Sequence, residues 1–278
     1  SLDVLVGVRR RGPDLQGQPD RRYLAEVQVL AHVRNVVGLR LVAVWIATRA
    51  PASLAGCSTE VVRFGWRGFV AQAERHGTVL VGPLFLKENF PRYQRLGTNV
   101  QQERADMAFN HILQYVHEWL RVSPAPMKLF GFSGGGQFLH RYAMFYPKRV
   151  ARMVLAAPGW YTFPDPDRKY PFGLKPTRDW PKLKFSLEKF LQIPTLVLVG
   201  EEDDLRDKDL NRDREIDSFQ GLNRIERAER WINANRNLAR SYDIPADFRM
   251  ETIPNASHAY ESYMGHPPFA EQVFEFLL

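Results

Sequence analysis

KLFGFSGGGQFLHRY, residues 128–142, sets one serine among four glycines where a short apolar run gives way to a longer mixed one. Glycine loses more conformational freedom on folding than any other residue, so Gly131, Gly134, Gly135 and Gly136 call for a structural reason. A flexible turn is one reading; a sharp strand-to-helix elbow that exposes Ser133 is the other. Gly131-Phe132-Ser133-Gly134-Gly135 matches Gly-x-Ser-x-Gly, a turn too tight for bulk two residues either side of the serine. MKLFGF (127–132) reads as the strand before it and a helical run follows, which favours the elbow. Gly134 N–H then opens a helix, backed by the positive end of its dipole, and is the expected first donor to an oxyanion.

Outward from this point, short β-like runs alternate with longer helix-like segments. That alternation predicts an α/β fold, with a mostly parallel central sheet flanked by helices. LRLVAVWIA (39–47), TVLVGPLF (78–85), RMVLAAPG (152–159), PTLVLVG (194–200) and FRMETIP (248–254) read as further strands. Residues 60–76, 101–120, 221–242 and 269–278 read as helices. In 101–120 the spacing places Met107, Ile112, Tyr115, Val116 and Trp119 on the buried face. The first forty residues read as an irregular lead-in or as edge strands. One domain over 1–278 accommodates these elements. Prolines at 164, 166, 171, 176 and 181, interleaved with aromatics, predict a cap-like insertion over 160–190.

A serine hydroxyl is a weak nucleophile; it needs a general base, and the base needs an orienting carboxylate. On this kind of sheet the chain order is Ser, then Asp or Glu, then His, each just past a strand end. LVLVGEEDD places Asp203 three residues beyond Gly200, with Asp204, Glu201 and Glu202 as competitors. TIPNASHAY places His258 just beyond the last strand, with His266 as its rival. His140, His111 and His117 fall inside helices and read as packing or surface residues.

Together with AERHGTVLVGPLF, FPRYQRLG, APGWYTFPD, YPFGL, GLNRIERAERW and the flanks of the elbow, these segments resemble the α/β-hydrolase superfamily. Within it the chain is similar to bacterial serine hydrolases related to polyhydroxyalkanoate depolymerases and feruloyl esterases, over roughly residues 65 to 265. The resemblance implies hydrolysis of a carboxylic ester, thioester or amide through an acyl-enzyme, without a cofactor, on a small-molecule or polymer ester. Trp160 and Tyr161 are then expected to form an apolar wall for the substrate. There is one departure. Such hydrolases commonly carry a His-Gly pair after the strand matching 41–45, and a backbone N–H just beyond supplies the second oxyanion donor. Here Trp45-Ile46 stand in its place, which leaves that donor to Ala47 or Ile46. A non-catalytic ligand-binding protein on the same fold is therefore the second reading.

Composition removes other classes. The chain is 45% hydrophobic and 25% charged, as in ordinary globular proteins. No apolar run approaches the roughly 20 residues of a membrane span. Arg9, Arg10 and Arg11 are not followed by an apolar stretch of the export-signal type. A single cysteine, Cys57, excludes an intramolecular disulfide framework and a multi-cysteine zinc site. The net charge of +7 is spread among acids, so no nucleic-acid partner is expected. EEDDLRDKD (201–209) lacks EF-hand spacing, and no phosphate-binding or dinucleotide-binding glycine pattern occurs. No metal and no cofactor are expected.

Overall fold

The apolar runs come together as one seven-stranded sheet. The computed structural model describes residues 68–83, 85, 90–97, 104–121, 126–180 and 184–278, together with short backbone stretches between residues 4 and 46. In chain order the strands are β1 (Val4–Leu5), β2 (Gly12–Pro13), β3 (Pro19–Asp20), β4 (Val27–Gln28), β5 (Leu30–Ala31), β6 (Arg40–Ile46), β7 (Thr78–Pro83), β8 (Met127–Phe132), β9 (Val150–Ala156), β10 (Thr195–Gly200) and β11 (Phe248–Ile253). The sheet runs β11-β10-β9-β8-β6-β7-β4, parallel except for antiparallel β4 at one edge. The pairs β1–β5 and β2–β3 form two small antiparallel sheets. Short paired and edge strands thus occupy part of the lead-in.

The helices are α1 (its described part 68–76), α2 (Ala105–Leu120), α3 (Gly134–Phe145), α4 (Leu187–Leu191), α5 (Arg214–Gln220), α6 (Arg224–Ser241), α7 (Tyr260–Met264) and α8 (Phe269–Leu277). Strands of a parallel sheet covered on both faces must be apolar at successive positions, and β8 and β10 are buried at every residue. Side chains alternate between the faces. Leu129 and Val197 join one core with Phe109, Phe138 and Trp231 of α2, α3 and α6. Phe130 and Leu198 join the other with Phe69, Phe269 and Phe274 of α1 and α8.

Two expectations need correction. Met107 is 49% exposed, because Ala105, Phe109, Ile112 and Val116 set the inward stripe of α2 and Met107 lies across the helix from it. Trp119 as a side chain lies outside the described residues. The aromatics of 160–190 do not converge on one place. Tyr170, Trp180 and Phe185 gather round Phe145 at the far end of α3. The start of the segment, with Pro158 and Gly159 just before it, sits beside the elbow: a Cβ on Gly136 would come within 2.9 Å of Pro158, and one on Gly159 within 3.2 Å of Gln137 Nε2.

That first part is held by buried side chains. The Gln220 amide brackets Tyr161, accepting from its N–H and donating to its carbonyl, both at 2.9 Å. Trp231 Nε1 donates to Thr162 O and Arg227 Nη1 to Gly159 O. Among the described residues no helix is long and apolar enough to cross a membrane.

Candidate active site

Three strand ends converge on the site. Ser133 follows β8 directly, Asp203 lies three residues past β10, and His258 lies five past β11. The carboxyl edge of a parallel sheet is where such folds place their ligands.

Ser133 adopts φ 50°, ψ −114°, a positive φ unusual for a residue with a side chain. Two bonds hold it there: its own N–H donates to Ala156 O of β9 at 2.7 Å, and Gln137 N–H donates to its carbonyl at 3.1 Å. The helix doubles back so closely that a Cβ on Gly131 would lie 2.7–2.8 Å from backbone atoms of Gly135 and Gly136. The glycine there is a steric necessity. Gly134 is the first residue of α3, so its N–H has no acceptor inside the helix.

The loops bearing Asp203 and His258 are tied to each other. Glu201 N–H donates to Ile253 O and Glu202 N–H to Ala256 O, at 2.9 and 3.0 Å. Gly200 makes this approach possible, since a Cβ there would sit 2.1 Å from Ala256 O. Ser133 Oγ lies 3.1 Å from His258 Nε2, and His258 Nδ1 lies 3.1 Å from Asp203 Oδ2. The imidazole stacks on Phe132, with centroids 5.5 Å apart. Asp204, Glu201 and Glu202 are exposed, and only Asp203 among the four is buried. The backbone of His266 closes turns with Tyr263 and Phe269 around α7.

Asp203 is completed by a residue that sequence reading missed. Arg224 Nη1 donates to Asp203 Oδ1 at 2.8 Å and to Asp207 Oδ2 at 2.8 Å, and its Nη2 reaches Asp207 Oδ1 at 3.2 Å. Burial pushes the Asp207 carboxyl up. The hydrogen bond and charge of Arg224, with the amides of Asp209 and Leu210, outweigh this and bring it down to about 2. With Arg224 donating to one oxygen, the other oxygen of Asp203 faces His258 Nδ1. In the tautomer with the proton on Nδ1, Nε2 accepts from the Ser133 hydroxyl.

On the opposite wall, a short 3-10 turn, Tyr93–Arg95, faces the elbow. A Cβ on Gly134 would lie 2.5 Å from the Tyr93 hydroxyl and 3.3 Å from Gln94 Cγ. FPRYQRLG carried this turn in the sequence, but nothing local disclosed its neighbour. Ile46 ends β6 in register with Phe132, the residue before Ser133. Ala47, the expected second oxyanion donor, lies outside the described residues.

The two expected wall aromatics differ in their surroundings. Trp160 is 4% exposed, with the guanidinium carbons of Arg141 and Arg95 at 4.1 and 5.1 Å from its ring centroid. Tyr161 is fully buried, stacked on Trp231 at 4.8 Å and beside His140. Its ring belongs to the core beneath the site, which corrects the expectation of an open wall at that position. His140 is also fully buried. Its Nδ1–H donates to Gly136 O and its Nε2 accepts from Thr162 N–H, both at 2.9 Å. Burial, and secondarily Arg141, hold its pKa well below the ordinary value, so it is neutral. Among the described residues no cluster of three or more His, Cys, Asp or Glu is placed to hold a metal ion.

Compared by sequence, the chain matches no family model and no curated protein. Compared by structure, it is similar to poly(aspartic acid) hydrolase-1 from Sphingomonas sp. KT-1, with a TM-score of 0.72 and 22% identity over 90% of this chain and 93% of that one. A poly(3-hydroxybutyrate) depolymerase from Bordetella parapertussis gives a TM-score of 0.70 and 21% identity over 91% and 90% of the two chains. An S-formylglutathione hydrolase from Agrobacterium tumefaciens gives 0.54 and 12% over 91% and 95%. The chain has the α/β-hydrolase fold. On this fold, Ser133 lies at the turn after β8, Asp203 beyond β10 and His258 beyond β11.

Proposed function

We propose that the chain is a serine hydrolase that cleaves a carboxylic ester through an acyl-enzyme on Ser133. The reading rests on the line from Ser133 Oγ through His258 to Asp203, two contacts of 3.1 Å, starting from a strained turn at a helix N-terminus. His258 Nε2 takes the hydroxyl proton as Ser133 attacks the carbonyl, then passes it to the leaving alcohol. Water attacks the acyl-enzyme by the same route in reverse. Asp203 keeps Nδ1 protonated and stabilises the imidazolium. Gly134 N–H, joined by a backbone N–H at Ile46 or Ala47, receives the oxyanion. One domain carries the site, and 160–190 forms a partial cap that places Trp160 at its wall. Two structural neighbours are named for polymer substrates, which extends the reading to oligomeric or polymeric esters and amides.

The test is labelling by a fluorophosphonate probe of wild type and Ser133→Ala, followed by a panel of esters of differing acyl length. Labelling of wild type alone, with turnover of at least one ester, is expected. A folded wild type that resists the probe would instead support the ligand-binding reading. Trp45-Ile46, in place of His-Gly, is the feature that favours this second reading. Loss of one oxyanion donor typically costs about 10²–10³ in rate.

A further inference from the structure

We propose that the site on Ser133 takes substrates bearing a carboxylate close to the scissile carbonyl, held by Arg95 with Arg141 behind it. This rests on the hydrolase reading and names the substrate class for it.

The argument starts from an imbalance of charge. Burying a guanidinium is costly unless an anion compensates it. Two other buried arginines keep to that rule: Arg224 pairs with Asp203 and Asp207, and Arg227 with Asp217. Arg141 is as deeply buried as they are, yet all of its acceptors are neutral. Its Nε donates to Thr162 Oγ1, and its Nη1 to Gln94 O and Gln137 O, at 2.7–2.9 Å. Its Nη2 has no hydrogen-bond partner. Burial brings Arg141 down to about 9 against the opposing effect of Tyr170, and Arg95 adds to the fall.

Arg95 increases this imbalance. It lies over the same Trp160 ring as Arg141 and is only partly buried, so it remains reachable. Burial and the charge of Arg92 both lower it, while Tyr170 and Asp213 oppose them more weakly. Among the described residues, no carboxylate lies within ion-pair distance of Arg92, Arg95 or Arg141. Three cations thus collect on one side of the elbow, and among the described residues Asp213 acts on Arg95 only from beyond ion-pair distance.

The cluster is also close to the chemistry. Gln137 N–H is bonded to the Ser133 carbonyl, and Gln137 O accepts from Arg141. One residue, Gln137, thus separates Arg141 from Ser133 along this hydrogen-bonded path. Gln94, whose carbonyl also accepts from Arg141, lies against Gly134. A carboxylate a few bonds from the scissile carbon suits a cation cluster placed there. The half-ester of a short dicarboxylic acid has this form. A bidentate guanidinium–carboxylate contact over an indole suits Arg better than Lys.

The experiment compares p-nitrophenyl hemisuccinate with p-nitrophenyl butyrate, a neutral ester of the same acyl length. In wild type the ratio of kcat/KM for the acidic over the neutral ester is expected to be roughly tenfold or more, and to shrink as salt is added. In Arg95→Gln the ratio falls toward one, and Arg95→Lys restores it only in part. Calorimetry with Ser133→Ala provides a readout independent of turnover. Monomethyl succinate is expected to bind this variant, and the double variant with Arg95→Gln at least tenfold more weakly. Turnover of the butyrate ester with no preference for hemisuccinate, or a preference that survives Arg95→Gln, overturns the carboxylate subsite and leaves the hydrolase reading standing. Specific binding of the half-ester without turnover of either ester sinks the hydrolase reading and keeps the subsite. Neither binding nor preference overturns the subsite.

Discussion

Arg224 donates to Asp203 at 2.8 Å, with both side chains 1% exposed. The proposed triad is thus a chain of four groups, ending in a buried cation that also holds Asp207. An ion pair this deep adds little net stability, but removing one partner strands the other. Its effect falls on Asp203: one carboxylate oxygen is occupied, and the second is aimed at His258.

Replacing Arg224 by Met should therefore cost about 3–5 kcal/mol in stability, and activity more than stability alone explains. Without the guanidinium, Asp203 loses the donor that fixes one of its oxygens, and the other is no longer aimed at His258 Nδ1. Arg224→Lys should restore activity at least in part. A folded Met variant labelled by a fluorophosphonate at the wild-type rate would mean that Arg224 only supports the fold.

Asp207 gives a pH dependence of its own. Its folded value of about 2 lies below the ordinary carboxylate value of about 3.9. A depressed carboxyl contributes stability that is fully present above its unfolded value and lost as pH falls through the folded one. Urea unfolding of wild type and Asp207→Asn should show a gap that is constant above about pH 5 and narrows from about pH 4 toward pH 2. A gap that widens on acidification would contradict the assigned direction.

His140 should act in a different window. It is buried and neutral, its pKa held well below the ordinary value, whereas in the unfolded chain it takes up a proton below about pH 6.5. Unfolding then binds a proton, so stability falls as pH drops through that region. The slope attributable to this group is at most about 1.4 kcal/mol per pH unit. His140→Gln should be less stable at pH 8 and show a shallower loss between pH 6.5 and 5. Parallel stability curves for the two proteins would show that His140 does not titrate between the states.

The three residues that meet at the candidate site were legible because each depends on a local signal: a glycine-bounded serine after an apolar run, and an acid and a histidine just past apolar strands. Order along the chain supplied the rest. Arg224 had no such signal. In GLNRIERAERW it is one of several charges on a helix that reads as solvated, and its inward direction is set by packing of Trp231 and Ala228 against the sheet. Arg141 was hidden the same way, two turns into the elbow helix. Tyr161 was expected in an apolar wall, but the Gln220 amide that grips its backbone lies 59 residues away in sequence. The fold and the serine elbow were local properties, whereas the charge balance of the site was tertiary.

Gly131 offers the sharpest test of the elbow as a constraint on geometry. A methyl group there would meet the backbone of Gly135 and Gly136 at 2.7–2.8 Å, and backbone cannot rotate away as a flexible side chain can. Gly131→Ala must push the first turn of α3 off β8, at a cost of about 1–3 kcal/mol or more. The same shift turns Ser133 Oγ from His258 Nε2 and Gly134 N–H from the oxyanion position. Fluorophosphonate labelling should slow by at least tenfold, even at temperatures where the variant is fully folded by circular dichroism. Ser133→Ala, by contrast, abolishes labelling with almost no change in Tm. Equal labelling rates for folded Gly131→Ala and wild type would show that the turn tolerates a side chain, and that the glycine does not aim the serine.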